Sequence, residues 1–260
     1  MTDQSLIDAA AFAGRLADAA GEIARRYFRQ PLDVETKPDE SPVTRADREA
    51  EAAMRRLIED HCPDDGIYGE EHGAVRTHAE RVWVLDPIGG TTSFISGVPV
   101  FGTLVALLVD GAPAVGIIDQ PISRERWVGV RGAPTRLNGA AVTTRACPAL
   151  AGASLFATTP GMFEGADATA FERLSNQVAM VRHGIDCYAA GLIASGFVDL
   201  MVEASLKPYD YCALVPVIEG AGGVMTDWGG APLGLDSDGR IAAAGDARCH
   251  AAALKALAAG

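Results

Sequence analysis

The sequence has no run approaching the ~18 consecutive apolar residues that cross a bilayer. Its first residues, Met1 to Ser5, are polar and acidic without a basic stretch. Neither a helical membrane span nor a secretory leader is therefore expected, and the reading is a soluble cytoplasmic protein. Basic charge is scarce as well: 22 Lys and Arg face 34 Asp and Glu, for a net charge of −12. Such a balance opposes nucleic acid and anionic lipid, partners usually met by basic patches, and an anionic substrate would need metal ions to approach. The five cysteines, Cys62, Cys147, Cys187, Cys212 and Cys249, are scattered and include no Cys-x-x-Cys pair. This argues against a disulfide framework or a zinc ribbon and for small buried thiols. The histidines, His61, His72, His78, His183 and His250, form no cluster and are expected at the surface or at caps. There is no Gly-x-x-x-x-Gly-Lys loop, no Gly-x-Gly-x-x-Gly after a predicted strand and no Gly-x-Ser-x-Gly elbow, which disfavours nucleotide binding and metal-free serine hydrolysis.

What is present suits a packed core, since 260 residues with 48% hydrophobic content can fill one continuous core or two close lobes. No repeat or low-complexity linker interrupts the chain, so one globular unit over 1–260 is expected, with lobes at 1–137 and 138–260. Apolar residues at helical spacing, among them Leu6, Ala9, Ala13, Leu16, Ala20 and Ile23, predict a helix from Ser5 to Arg29 that Pro31 ends. Thr44-Arg45-Ala46-Asp47 has capping-box character and opens a second helix through Met54 and Ile58 to His61. Strands are predicted at 82–85, 103–109, 114–118 and 126–130, with a hairpin at Asn138-Gly139. Later come helices at 168–177, 187–195 and 211–221, the last kinked at Pro216, strands at 153–157, 197–202 and 241–244, and a final helix from Asp246.

The segment Trp83-Val84-Leu85-Asp86-Pro87-Ile88-Gly89-Gly90-Thr91-Thr92 ends an apolar strand in a carboxylate, a proline and a glycine pair. Pro87 fixes the backbone and exposes the Ile88 carbonyl, while Gly90 permits a tight turn whose amides near Thr91 and Thr92 face an anion. Such a turn combines hard oxygen ligands for Mg2+ with N–H donors for phosphate. Taken singly, each acid has a plainer explanation: Asp86 and Asp210 as helix caps, Asp47 as a capping-box acid, and Gly69-Glu70-Glu71 as a solvated loop. Asp210 follows the strand-ending Glu203-Ala204-Ser205-Leu206-Lys207-Pro208-Tyr209 and precedes a helical run.

Taken in order, these elements resemble the inositol monophosphatase superfamily, whose pattern is a Gly-Glu-Glu loop, Asp-Pro-Ile-Asp-Gly-Thr, and Trp-Asp or Tyr-Asp before a helix ending in Ala-Gly-Gly. The likeness covers nearly the whole chain. It implies a layered α-β-α-β-α fold, a homodimer, and hydrolysis of a small phosphate monoester with two or three Mg2+ ions per site. Glu70, Asp86, the Ile88 carbonyl and Asp210 resemble metal ligands. Thr91, supported by Asp47 and with Glu70 nearby, resembles the catalytic group that orients the attacking water, and the amides of Gly90, Thr91 and Thr92 resemble a phosphate cradle. Arg182-His183-Gly184-Ile185-Asp186-Cys187-Tyr188, Leu206-Lys207-Pro208-Tyr209-Asp210 and Ser93 resemble the histidinol-phosphatase branch. That branch releases L-histidinol and phosphate from L-histidinol phosphate in histidine biosynthesis, and Asp186 and Glu203 would then contact the cationic end of the substrate. The alternative for Asp186 is a cap on the helix after it.

The family pattern has a second aspartate where this chain has Gly89, which offers no side-chain oxygen. Losing a ligand carboxylate should cost at least the ~10–100-fold that loss of a supporting group costs, so weakened or absent turnover is expected. The intact surroundings favour a replacement that traps substrate over natural loss of catalysis. Two other functions stay open: an inositol or sugar phosphate monoesterase, and a non-catalytic protein that binds phosphate esters.

Overall fold

The computed structural model describes residues 3–31, 34–36 and 42–258. The first half runs α1 (Asp3–Tyr27), β1 (Val34–Thr36), β2 (Pro42–Thr44), α2 (Arg45–His61), β3 (Gly66–Gly69), β4 (Gly73–Val75), β5 (Arg81–Gly89), α3 (Thr91–Ile95), β6 (Gly102–Val109), β7 (Ala112–Gln120), β8 (Glu125–Val130), β9 (Ala133–Leu137) and β10 (Ala140–Ala141). The second half adds β11 (Ser154–Ala157), α4 (Gly165–Ser175), β12 (Met180–His183), α5 (Tyr188–Ala194), β13 (Leu200–Glu203), α6 (Pro208–Tyr211), α7 (Leu214–Gly220), β14 (Val224–Asp227), β15 (Ile241–Ala244) and α8 (Ala247–Ala258).

Side-chain alternation along the strands sorts residues into layers. On β5, Trp83 and Leu85 join Phe12 and Leu16 of α1 and Met54 and Ile58 of α2 on one face of the larger sheet. Val82 and Val84 point the other way, toward Ile193 of α5 and Val217 of α7. Met201 and Ala243 of the smaller sheet share that middle layer, whereas Leu200, Val202, Ala242 and Ala244 face Phe171 of α4 and Leu257 of α8. The result is the α-β-α-β-α stack, with strand orders β10-β9-β8-β7-β6-β5-β3-β4 and β12-β11-β13-β15-β14. Full burial of each large apolar side chain contributes about 1.5–3 kcal/mol, so the middle helices hold both sheets through Ile193, Leu214, Val217 and Ile218. Among the described residues no helix is long and apolar enough to cross a membrane.

Several local expectations need correction. The helix foreseen over 211–221 is broken between α6 and α7 at Cys212 and Ala213, not kinked at Pro216. Pro216 lies in the first turn of α7, where a missing N–H costs no intrahelical bond. Asp210 is not the cap of a long helix. It lies inside α6, where its Oδ2 accepts the Lys207 N–H at 2.7 Å. Asp186 does not cap α5, which has no side-chain cap bond; its carboxylate accepts the Ser93 hydroxyl instead. His250 is buried, with Nε2 3.0 Å from the Thr226 hydroxyl. The Asn138-Gly139 hairpin does join β9 to β10, both residues having positive φ (48° and 84°), as a two-residue turn of this hand requires.

Candidate active site

The site is assembled where β5 changes its pairing. On one side β5 runs parallel to β3, with Leu85 opposite Gly69. On the other it is antiparallel to β6, and the register shifts between Asp86 and Gly89. Pro87 has no N–H for the ladder, and the freed groups are met locally: the Thr103 hydroxyl donates to the Pro87 carbonyl at 2.9 Å, and Ile88 N–H donates to Asp86 Oδ1 at 3.1 Å. Gly90 then turns through φ 97° and α3 begins. The kink thus holds Asp86 at 1% exposure directly below the first turn of a helix.

One cavity of about 190 Å³ is lined by Glu70, Asp86, Ile88, Gly89, Gly90, Thr91, Thr92 and Asp210. The acids singled out from distant parts of the sequence therefore converge. An adjoining cavity of about 120 Å³ shares Asp86, Gly89, Gly90 and Asp210 and adds Asp186, Glu203, Cys187 and Thr158 to its wall. Asp47 stands behind Thr91, whose hydroxyl lies 3.4 Å from Asp47 Oδ1 and 3.3 Å from the Ile88 carbonyl. Asp47 also closes the α2 capping box, its Oδ2 accepting the Thr44 N–H at 2.8 Å. Capping and catalytic placement are compatible for this residue, since each uses a different carboxylate oxygen.

Electrostatically the two cavities are a desolvated anionic hollow, with no basic side chain in either wall among the described residues. Burial pushes the Asp86 carboxyl well above the usual carboxylate range, and Glu70 and Asp210 push it further. Burial also raises Asp186, against the opposing hydrogen bond from Ser93. Glu203 is pushed up to about 8 by burial, although Thr158 donates both N–H and O–H to its Oε1. Its Oε2 is buried and has no hydrogen-bond partner among the described residues. Such crowding of like charges in low dielectric is relieved by bound cations.

The sequence matches the inositol monophosphatase family over residues 6–259. The chain belongs to that family. It is 49% identical to the bifunctional chloroplastic phosphatase IMPL2 of Arabidopsis thaliana, over 99% of this chain and 77% of that one. A histidinol-phosphatase of Chlorobaculum parvum is 36% identical, over 88% of this chain and 89% of its own. Among solved structures, an inositol monophosphatase from Zymomonas mobilis superposes with a TM-score of 0.90 at 48% identity, covering 99% of each chain.

Against the family pattern, Gly89 leaves space that Asp86 has taken. A Cβ built at 89 would lie 2.5 Å from Asp86 Oδ2 and 3.3 Å from both Asp86 Cγ and the Gly102 carbonyl. The Asp86 carboxylate thus occupies the space that a side chain at 89 would need. Among the described residues no three His, Cys, Asp or Glu groups stand as a ready metal cage; Glu70, Asp86 and Asp210 share a wall rather than a closed coordination sphere. The donor set itself, three carboxylates and the Ile88 carbonyl, is all hard oxygen and fits Mg2+.

Proposed function

We propose that this member of the family is a Mg2+-dependent phosphate monoesterase acting on L-histidinol phosphate, and that Gly89 impairs it. Glu70, Asp86, Asp210 and the Ile88 carbonyl would hold the ion. Bound there, Mg2+ supplies charge relief on the phosphoryl oxygens and acidifies the attacking water. Thr91 orients that water, and Asp47 accepts the proton passed through the Thr91 hydroxyl. The amides of Gly90, Thr91 and Thr92 receive the phosphate oxygens at the start of α3. As the water oxygen bonds to phosphorus, the ester P–O bond breaks and the leaving alkoxide takes up a proton from solvent water. A second metal contact that an aspartate at 89 would make is missing, so the chain binds ester and turns it over slowly.

The choice of a cationic substrate rests on Glu203, a buried carboxylate with one oxygen unpartnered among the described residues, in a cavity wall that also carries Asp186. An ammonium or imidazolium entering that cavity would meet both acids and hold Glu203 ionised, whereas beside a neutral polyol Glu203 stays protonated and offers no charge to pair. The histidinol-phosphatase of Chlorobaculum parvum supports the same substrate. The test is a panel of histidinol phosphate, inositol monophosphate and a sugar phosphate, assayed with Mg2+ in the Gly89→Asp background, with and without Glu203→Gln. Loss of a charge-assisted bond of about 1.5–3 kcal/mol predicts a fall of roughly 10–150-fold in kcat/KM for histidinol phosphate and little change for the neutral-ended esters. An equal fall across the panel would remove the case for this substrate. Gly89 favours a second reading, a phosphate-ester binding protein without turnover; tight ester binding by a Gly89→Asp form that remains inert would decide for it.

A further inference from the structure

Glu51 lies one turn along α2 from Asp47 and is a fully buried carboxylate. Its Oε2 accepts the Glu71 N–H at 2.6 Å, and its Oε1 accepts the His72 N–H at 3.1 Å. Arg55 Nε donates to Oε1 at 2.7 Å, and the other arm of the same guanidinium donates to the Gly73 carbonyl. Glu70, between these contacts and β3, has its own N–H bonded to the carbonyl of Leu85 at 3.2 Å, the residue before Asp86. On the near side, Gly69 is pressed against the clamp: a Cβ there would overlap Glu51 Oε1 and lie 2.6 Å from Glu51 Cδ. The backbone on both sides of Glu70 is thus fixed, by β5 through one amide and by Glu51 through the next two.

We propose that Glu51 is the positioning residue for Glu70, setting the direction in which that carboxylate enters the metal cavity. The proposal rests on the metal-dependent function above and extends it. Positions 47 and 51 share one helix face, so α2 carries two anchors at a fixed spacing. Asp47 meets the turn at Thr91, and Glu51 meets the loop at Glu71 and His72. A rigid helix thereby spaces the wall that holds Glu70 from the wall that holds Thr91. The glycine at 69 has a reason that is steric and specific: its missing side chain admits the Glu51 carboxylate.

Glu51→Gln keeps the volume but replaces one accepting oxygen by an NH2 that faces a backbone N–H. Gly69→Ala attacks the same contact from the loop side without touching α2. Both are made in the unsubstituted chain and in the Gly89→Asp background, and Mg2+ alone is titrated calorimetrically well below the melting temperature, with amide hydrogen exchange recorded in parallel. The expected result is ~10–100-fold weaker Mg2+ binding, the range for groups that orient a metal ligand, with faster exchange at Glu71 and His72 and unchanged exchange in β5 and β6. A purely structural role would lower the melting temperature and leave the Mg2+ affinity of the folded protein intact, and that result overturns the proposal. Absence of Mg2+ uptake by both the unsubstituted chain and the Gly89→Asp form overturns the metal-dependent function and this proposal with it. Uptake that neither Glu51→Gln nor Gly69→Ala alters overturns this proposal alone.

Discussion

Replacing Gly89 by aspartate should raise the rate of phosphate release, and the structure sets the terms of the exchange. The backbone at 89 is not in the left-handed region, so a side chain is conformationally allowed. Of the atoms a Cβ would meet, Asp86 Oδ2 at 2.5 Å must move, and Asp86 Cγ and the Gly102 carbonyl, both at 3.3 Å, must each give by a few tenths of an ångström. That oxygen ends a rotatable side chain, so relief comes from turning the Asp86 carboxylate away from Gly89. Without metal, a further carboxylate joins a hollow in which Asp86 is already pushed up by burial, Glu70 and Asp210, and the metal-free melting temperature should fall. With Mg2+ the added oxygen becomes a ligand. The gain in kcat/KM should reach at least ~10–100-fold, equivalent to about 1.4–2.7 kcal/mol off the barrier. Phosphate release from histidinol phosphate, measured for both forms across a Mg2+ series, checks the rate and the half-saturating Mg2+ together. If the Gly89→Asp form shows neither a faster rate nor a lower Mg2+ requirement, the reasoning from a lost ligand fails.

Thr91→Val should lower kcat by about 10²–10⁴-fold, the usual span for losing a positioned proton-transfer group, with KM for the ester little changed; steady-state kinetics in the Gly89→Asp background measure it. Gly90→Ala should destabilise the fold by about 1–2 kcal/mol for its left-handed backbone, with more from a Cβ 2.9 Å from Asp186 Cγ, read as a lower urea midpoint at constant slope. Burial lowers the His250 pKa, so the folded state favours neutral imidazole. Stability from this group is complete above the ordinary histidine value of about 6.5 and declines below it as the unfolded chain takes up the proton. Urea midpoints between neutral pH and the onset of carboxylate titration should show that slope, and His250→Asn should flatten it.

Much of the site was legible because its residues stand at abrupt changes of pattern. The apolar run Val82-Trp83-Val84-Leu85 stops at Asp86, and the paired glycines announce the turn that the φ of 97° at Gly90 requires. The capping box at Thr44 was readable from residue types at fixed offsets, and it formed. The strands that escaped had no periodic signal. Strands β3, β4, β12 and β14 have three or four residues each, too few for alternation to declare itself, and β4 and much of β12 are exposed. Tertiary pairing alone makes them strands. Glu51 was missed although a signal existed: Asp47, Ala50, Glu51, Met54 and Ile58 form the buried stripe of α2. Two carboxylates in an otherwise apolar helical stripe require partners beyond the helix, which the Gly69-Glu70-Glu71 segment and Thr91 provide. Asp186 was placed in the site by likeness to relatives, while its actual partner, Ser93, lies 93 positions away in sequence and no local pattern could join them.

The approach of Asp186 to Gly90 has a practical consequence for exchanging parts between relatives. The Asp186 carboxylate fills the space a side chain at Gly90 would need, 2.9–3.0 Å from where a Cβ would be, and is tied to α3 by the Ser93 hydroxyl. The loop before α5 and the turn after β5 are therefore one mould cast from two distant stretches of sequence. A chimaera that imports the loop of another relative without the matching turn would inherit a mismatch at this seam, so swaps of substrate preference should carry both stretches together.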